Sequence, residues 1–148
     1  MCCVVFFFLM MRRAPRSTQS GSSAASYVYK RQIGKREARN CIISGFHSQL
    51  EKDVFYYLLK GNQPIIIALA RGLKEKIEPE LIKPLEEGRI LIISPFDKTV
   101  KRVTEQTAEI RNKMMIELAD NITVGYASEG GNLETLLKTT KKEITRLV

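Results

Sequence analysis

Apolar residues in this chain fall into short continuous runs, separated by longer segments in which apolar residues return every three or four positions. The runs lie at 41–43, 64–69, 90–93 and 121–126. They are rich in isoleucine and other β-branched residues, which is typical of strands covered on both faces. The helical segments lie at 48–60, 78–87, 104–118 and 132–148. This alternation predicts an α/β fold with a doubly wound, mainly parallel sheet and helices on both of its faces.

Some of the helical segments allow more specific predictions. Ser48 is expected to be an N-cap, because Glu51 stands three residues later and completes a capping box. In the segment 104–118, the helical spacing predicts one buried face. That face consists of Val103, Thr107, Ile110, Met114 and Leu118. Arg111 borders this face. The last helical segment, 132–148, is expected to remain helical to Val148.

Residues 1–32 differ from the rest of the chain in composition. They contain five basic residues and no acidic one, so the other residues carry 19 basic and 16 acidic side chains, a balance of +3 instead of +8. The segment resembles translated sequencing-adapter read-through, and its Arg- and Ser-rich composition is shared by mitochondrial presequences. We expect residues 1–32 to be a disordered artefact outside the fold. Residues 33–148 are expected to form one domain, truncated at both ends.

The cysteine and histidine content limits the chemistry that the chain could perform. Cys41 is the only cysteine after residue 32, and His47 is the only histidine. We therefore expect no disulfide framework, no metal site, no catalytic triad and no cofactor. The apolar run 4–11 is too short to span a bilayer, so we expect a cytoplasmic protein without membrane contacts.

The candidate ligand site lies where the predicted strands end. Because the carboxyl ends of parallel strands meet at one edge of the sheet, the loops that follow them should converge there. The candidate residues of these loops are Ser44, Gly45, His47, Arg71, Gly72, Ser94, Ser128, Gly130, Gly131 and Asn132. The pair Gly130–Gly131 is the strongest signal, since glycine lets a ligand approach the backbone and the next helix directs free N–H groups there. A simple flexible turn is the alternative.

The pair Arg111–Asn112 provides a further candidate. A guanidinium beside a buried helix face can reach over the sheet edge and hold a phosphate bidentately. The competing interpretation is a surface arginine paired with Glu105 or Glu109. Convergence of the loops favours a ligand the size of a phosphate or nucleotide, without identifying a reaction.

Several of these segments occur, in the same order, in one known family. They are Ile42-Ile43-Ser44-Gly45, Gln63-Pro64-Ile65-Ile66-Ile67, Ala70-Arg71-Gly72, Glu87-Gly88-Arg89, Ser94-Pro95-Phe96, Arg111-Asn112-Lys113 and Ser128-Glu129-Gly130-Gly131. In this respect the chain resembles DprA/Smf-like DNA-processing proteins over nearly all of residues 40–140. The resemblance implies a Rossmann-like nucleotide-binding fold, related to the LOG-type proteins. It also implies single-stranded DNA binding, loading of a RecA-type recombinase, and a role in DNA recombination and natural transformation, without a demonstrated catalytic step.

The same resemblance implies roles for individual residues. The residues that would line the binding pocket are Ser44, Gly45, Arg111, Asn112, Gly130 and Gly131. Arg71 and Lys113 would contact phosphate. A homodimer is a further assembly to consider.

The chain also departs from the family pattern. The small, glycine-containing run that usually follows Ser-Gly is replaced by Phe46 to Lys52, and the usual Arg-Asn-Arg ends in Lys113. A domain that senses a small nucleotide is therefore a second hypothesis. A third is a LOG-like hydrolase that cleaves a nucleotide's N-glycosidic bond, with Glu129 or Glu134 as acid or base; it ranks last, because Asn132-Leu133-Glu134 replaces that family's glycine and threonine.

Overall fold

The computed structural model describes residues 3–8 and 41–147 of the chain. Within them lie one parallel sheet and four helices. The strands are β1 (Cys3–Phe8), β2 (Cys41–Ser44), β3 (Ile65–Ala68), β4 (Ile90–Ile93), β5 (Asn121–Tyr126) and β6 (Glu143–Arg146). The helices are α1 (Gln49–Leu59), α2 (Pro79–Glu86), α3 (Glu105–Leu118) and α4 (Asn132–Thr139).

All neighbouring strands pair in parallel, in the order β4-β3-β2-β1-β5-β6. On one side of β1 the chain adds β2, β3 and β4 in turn. It then crosses to the other side of β1 and adds β5 and β6. This reversal makes the sheet doubly wound and confirms the predicted architecture. In such sheets, ligands bind outside the carboxyl ends of the strands, near the point of reversal.

Each face of the sheet has its own hydrophobic core. On one face, α1 and α2 pack on the sheet through a cluster that includes Ile42, Leu58 and Leu81. On the other, α3 and α4 pack through a cluster that includes Ile43, Met115 and Leu137. Adjacent residues of β2 thus point to opposite cores, as the period of two in a strand requires. Strands β2 and β3 are apolar almost throughout because both of their faces are covered.

The first correction concerns residues 3–8, which the composition argument left out of the fold. In the structure they form β1, paired with β2 on one side and with β5 on the other. The charge pattern of 1–32 as a whole concealed a run whose β-branched and aromatic residues suit a central strand. The division of the chain at residue 33 and the interpretation of 9–32 concern residues outside the described part, and both stay predictions.

The second correction concerns the end of the chain, which was expected to be helical to Val148. Helix α4 ends at Thr139, and Thr140 adopts an extended conformation with ψ of 145°. The following segment pairs with β5 as β6, where Ile144 packs against the α3 and α4 core. The lysines of this segment suggested a surface helix. One of them, Lys142, instead donates to the carbonyl oxygens of Ile116, Glu117 and Ala119 at 2.6–2.7 Å, so it binds the carboxyl end of α3.

The third correction concerns the buried face of α3. The residues that the structure buries there are Asn112, Met115 and Ile116, followed by Ala119. Ile110 and Leu118, both expected inside, are 47% and 52% exposed. One residue corresponds to about 100° of rotation around a helix, so a shift of one or two positions is enough to exchange the two faces. This rotation places Asn112, expected further round the helix, inside the protein.

Candidate ligand-binding site

The turn between β2 and α1 is held by a buried carboxylate. Glu51 is 6% exposed, and its carboxylate accepts hydrogen bonds from Ser44 Oγ at 2.8 Å, from the His47 amide at 3.0 Å and from the Ser48 amide at 2.8 Å. Ser48 Oγ accepts the Glu51 amide, which confirms the predicted capping box. The candidate residue Ser44 is fully buried. Its hydroxyl therefore fixes the turn from beneath, and it is not on the surface of the site.

The exposed part of this turn presents an aromatic side chain. Phe46 has a φ of 47°, in the left-handed region that a bulky residue rarely adopts. Its ring lies against Phe55 of α1, with 4.6 Å between ring centroids and 38° between ring planes. Strained positions of this kind persist only where the surrounding structure enforces them. Here the carboxylate of Glu51 supplies the constraint, by binding the two amides that follow Phe46.

Arg111 of α3 reaches the same turn. Its guanidinium lies over Gly45, where a Cβ atom would stand 2.7 Å from Arg111 Cζ and still closer to Nη1. The Nε and Nη2 groups of Arg111 donate to Asn112 Oδ1 at 3.2 and 3.0 Å. Burial lowers the pKa of Arg111, and the negative charge of Glu51 opposes that shift. Gly45 thus provides the space for the guanidinium, and Asn112 orients it.

The loops after β3 and β4 are joined to each other. Ser94 Oγ donates to the carbonyl oxygen of Arg71 at 2.6 Å and accepts the Phe96 amide at 3.0 Å. The Gly72 amide donates to the carbonyl oxygen of Val100 at 2.8 Å. A Cβ on Gly72 would collide with the backbone of the β4 loop, including a Cα atom at 2.7 Å. Ser94 and Gly72 therefore hold two loops together, and both are already engaged within the protein.

A cavity of about 730 Å³ opens between α1, α2 and the carboxyl ends of β3 and β4. Four predicted site residues line it, namely Gly45, His47, Arg71 and Arg111. Phe46 and Phe55 form part of its wall, with leucine and isoleucine side chains from α2, the sheet and the loop after β3. The cavity thus combines apolar walls with several charged side chains.

Cations outnumber acids in the lining of the cavity. The basic side chains there are Lys52, Arg71, Lys74, Lys76 and Arg111, against Glu78 and Glu80. Lys74 binds Glu78 at 2.5 Å, and this contact lowers the pKa of Glu78. Within the described residues, Lys52, Arg71 and Lys76 form no ion pair. The cavity is therefore suited to an anion.

The glycine pair forms a separate group at the same edge of the sheet. Gly130 has a φ of 70°, and its amide donates to Glu134 Oε2 at 2.6 Å. Asn132 Nδ2 donates to Glu105 Oε1 at 2.8 Å, which joins the amino ends of α3 and α4. Ser128, Gly130, Gly131 and Asn132 do not line the cavity. Strand β5 lies two strands from β2, a separation of roughly 10 Å.

The other sequence-predicted residues lie outside the cavity. Asn112 is buried, and Lys113 binds Glu109 at 2.9 Å on the exposed face of α3. Most residues of the cavity wall were not predicted from the sequence, among them Lys52, Phe46 and Phe55. Phe46 could have been suspected, because it stands where a small residue is expected. Lys52 and Phe55 follow from the position of α1 over the cavity, which a local pattern does not reveal.

No helix in the described part of the chain is long and apolar enough to cross a membrane.

No protein-family model matches this sequence, and no curated protein matches it. The solved structures of two proteins do resemble its structure. One is the X-ray structure of DNA processing protein A (DprA) from Streptococcus pneumoniae, with a TM-score of 0.66 and 11% identity over 98% of this chain and 50% of that chain. The other is DNA processing protein A from Helicobacter pylori, whose structure gave insights into its unique single-stranded DNA binding mode. It has a TM-score of 0.60 and 17% identity over 98% of this chain and 64% of that chain.

This chain therefore has a DprA-like, Rossmann-like fold, and it spans about half to two thirds of the length of the two solved proteins.

Proposed function

We propose that this chain is a DprA-like DNA-processing protein that binds single-stranded DNA at the cavity beside Gly45, and that it acts by binding without a catalytic step. The observation that carries the proposal is the convergence of Arg111, Arg71 and other cations on one cavity with apolar walls. Its support from comparison is the shared fold, together with the single-stranded DNA binding described for the Helicobacter pylori protein.

The two parts of a nucleotide match the two parts of the cavity. A phosphate carries charge that a guanidinium binds through paired hydrogen bonds. The guanidinium of Arg111 is already oriented by Asn112, so little side-chain entropy is lost on binding. An unpaired base offers a flat apolar surface, and single-stranded DNA is commonly held by stacking such bases on aromatic rings. Phe46 and Phe55 supply aromatic rings in the cavity wall.

The direct test is a titration of the full chain with a fluorescently labelled oligothymidylate of about ten nucleotides. Affinity should fall steeply as salt rises, because phosphate contacts release counterions. Arg111→Ala should weaken binding by about tenfold or more, while Arg111→Lys, which keeps the charge but loses the bidentate geometry, should have an intermediate effect. The matched control is Lys83→Ala, which removes an exposed charge in the last turn of α2. Absence of binding by the unmodified chain at low salt would refute the proposal.

Binding of a small nucleotide is the second candidate, and the size of the cavity favours it. A volume of about 730 Å³ lies within the usual range of small-molecule sites. This alternative predicts that a mononucleotide stabilises the protein against heat, by about 2.7 kcal/mol at a concentration 100 times its Kd. It also predicts that single-stranded DNA produces no greater stabilisation. A comparison of the two ligands in one thermal-shift assay separates the candidates.

The hydrolase hypothesis gains little from the geometry. Glu129 and Glu134 do not line the cavity. The amide of Gly130 lowers the pKa of Glu134, so this carboxyl is ionised at neutral pH and is a poor proton donor. We therefore favour a binding protein. Nucleotide cleavage that is lost in both Glu129→Gln and Glu134→Gln would overturn that preference.

The proposal has a wider form, in which DNA binding serves recombination and natural transformation in the cytoplasm. It would then include a RecA-type recombinase as partner and a homodimer as the active assembly. Co-sedimentation with a purified recombinase and analytical ultracentrifugation of the full chain test these two extensions. If the chain were a monomer and did not co-sediment with the recombinase, both extensions would be refuted and the DNA-binding proposal would stand.

A further inference from the structure

A second depression lies beside the cavity. It has a volume of about 390 Å³ and is formed by the loops after β3 and β4. The basic residues that line it are Arg71, Lys74, Lys76, Lys98 and Lys101, and Glu75 is its one acidic lining residue. Arg71, Lys74 and Lys76 line the cavity as well. The segment 71–76, called the ridge below, therefore lines both the cavity and the depression.

Two lysines of this depression, Lys98 and Lys101, are open to an anion. Lys98 and Lys101 are exposed, and neither forms an ion pair within the part of the chain that the structure describes. Lys74, in contrast, is bound to Glu78. The nearby carboxylate of Asp97 accepts the Thr99 amide at 2.9 Å, and this hydrogen bond lowers the pKa of Asp97. The positive charge of Lys98 lowers the same pKa to a smaller extent, although the two side chains form no ion pair.

The backbone beneath these lysines is fixed. The Gly72 amide binds the carbonyl oxygen of Val100, and the Val100 amide binds that of Asp97 at 3.0 Å. Ser94 Oγ adds the bond to the Arg71 carbonyl oxygen. Gly72 fits against the Asp97–Lys98 backbone without room for a Cβ. The positions of Lys98 and Lys101 relative to the ridge are therefore set before any ligand arrives, which lowers the entropic cost of binding.

We propose that Lys98 and Lys101 form a second phosphate subsite, next to the cavity, that binds the adjoining phosphates of a polynucleotide. This inference rests on the proposed function and deepens it. A mononucleotide that occupies the cavity has no further phosphate that could reach Lys98 and Lys101 on the other side of the ridge. A longer strand has adjoining phosphates that could. The subsite thus selects an oligonucleotide over a mononucleotide, and it does so through the phosphate backbone and without regard to base sequence.

The expected effect follows from counterion release. On a single strand, each phosphate contact contributes about 0.7 to the slope of log affinity against log salt. The double variant Lys98→Ala/Lys101→Ala should therefore reduce the slope for an oligothymidylate by about 1.4, and its affinity by about 25-fold at about 0.1 M salt. The affinity for thymidine monophosphate should not change. Both lysines are exposed, so the thermal midpoint should also stay close to that of the unmodified chain.

The matched control is Lys83→Ala/Lys141→Ala, which removes two exposed lysines that line neither the cavity nor the depression. Both double variants and the unmodified chain are titrated with oligothymidylate and with thymidine monophosphate across a range of salt. The inference is overturned if the two double variants have the same slope and the same oligonucleotide affinity, and the proposed DNA binding then stands without it. If the unmodified chain binds neither probe, the proposed function is refuted, and the inference falls with it.

Discussion

Replacing Glu51 tests how the turn beneath the cavity is held in place. The carboxylate accepts three hydrogen bonds, from Ser44 Oγ, the His47 amide and the Ser48 amide, at 2.8–3.0 Å. It is almost fully buried, and Arg111 interacts with its charge. Hydrogen bonds to a charged group contribute about 1.5–3 kcal/mol each when buried. Removing one partner of a buried charged network costs about 3–5 kcal/mol.

A graded series separates these contributions. Glu51→Ala should lower the free energy of unfolding by about 3–5 kcal/mol, because it leaves two amides and the charge of Arg111 without their partner. Glu51→Gln keeps the shape and one acceptor oxygen, so we expect a loss of about 1–3 kcal/mol. Ser48→Ala removes only the N-cap acceptor and should cost about 1 kcal/mol. The order of the three variants follows from how many hydrogen bonds each substitution removes, and from whether it also removes the charge.

The assay is urea denaturation of the full chain, followed by circular dichroism at neutral pH. The slope of the free energy with urea should stay constant, so that the midpoint reports stability. Glu86→Gln on the exposed side of α2 is the control and should change stability by less than about 0.5 kcal/mol. If Glu51→Ala were as stable as Glu86→Gln, the carboxylate would not hold the turn, and the explanation of the Phe46 conformation would fail with it.

Three further predictions concern the rest of the fold. Gly72→Ala should cost about 1–3 kcal/mol in urea denaturation, because a Cβ collides with the β4 loop. Glu134 has a depressed folded-state pKa, so its stabilising contribution is present above its unfolded value of 4.5 and is lost as pH falls through the folded value. The difference in Tm between the unmodified chain and Glu134→Gln should therefore shrink as pH falls below 4.5. Deleting residues 1–32 removes β1 from between β2 and β5 and should abolish the cooperative thermal transition, whereas a cooperative one would restore the artefact interpretation.

The features that the sequence predicted correctly are those encoded locally. The capping box needs only Ser48 and Glu51 at the right spacing, and no distant residue has to cooperate. The strand cores are also local, since a continuous apolar run must be covered on both faces wherever it lies. The parallel order followed from the long connections between these runs.

The features that the sequence missed depend on distant partners. The face of α3 is decided by the core that it meets, where Met115 contacts side chains from other elements. Strand β6 exists because β5 offers an unpaired edge, and its four residues have no strong signal of their own. Strand β1 was obscured by a composition averaged over 1–32. Arg111 of α3 likewise interacts with the charge of Glu51 in α1. The two helices are too far apart in the sequence for a local pattern to show that they meet.

The amino ends of the helices explain why the site depends on side-chain cations. Nucleotide-binding folds of this class usually place phosphate on free N–H groups at a helix amino end. Here the carboxylate of Glu51 accepts the His47 and Ser48 amides just before α1, and Ser48 Oγ accepts the Glu51 amide in its first turn; Glu134 accepts the Gly130 amide just before α4. At α3, Thr104 and Thr107 cap each other. Side chains of the protein thus cap α1 and α3, whereas the amino end of α4 has no side-chain cap.

At the cavity, where α1 is capped from within, we therefore expect an anion to be bound mainly by arginine and lysine side chains, and ligand binding by the glycine pair beside α4 stays a prediction. Exposed cations bind through long-range charge, which salt screens, and they read the phosphate backbone without discriminating between bases. The arrangement consequently favours a polyanion, which contacts several cations at once, over a single phosphate, which needs an enclosed set of hydrogen-bond donors. This is the physical reason to expect a strand of nucleic acid, with a steep salt dependence, in preference to a tightly held mononucleotide.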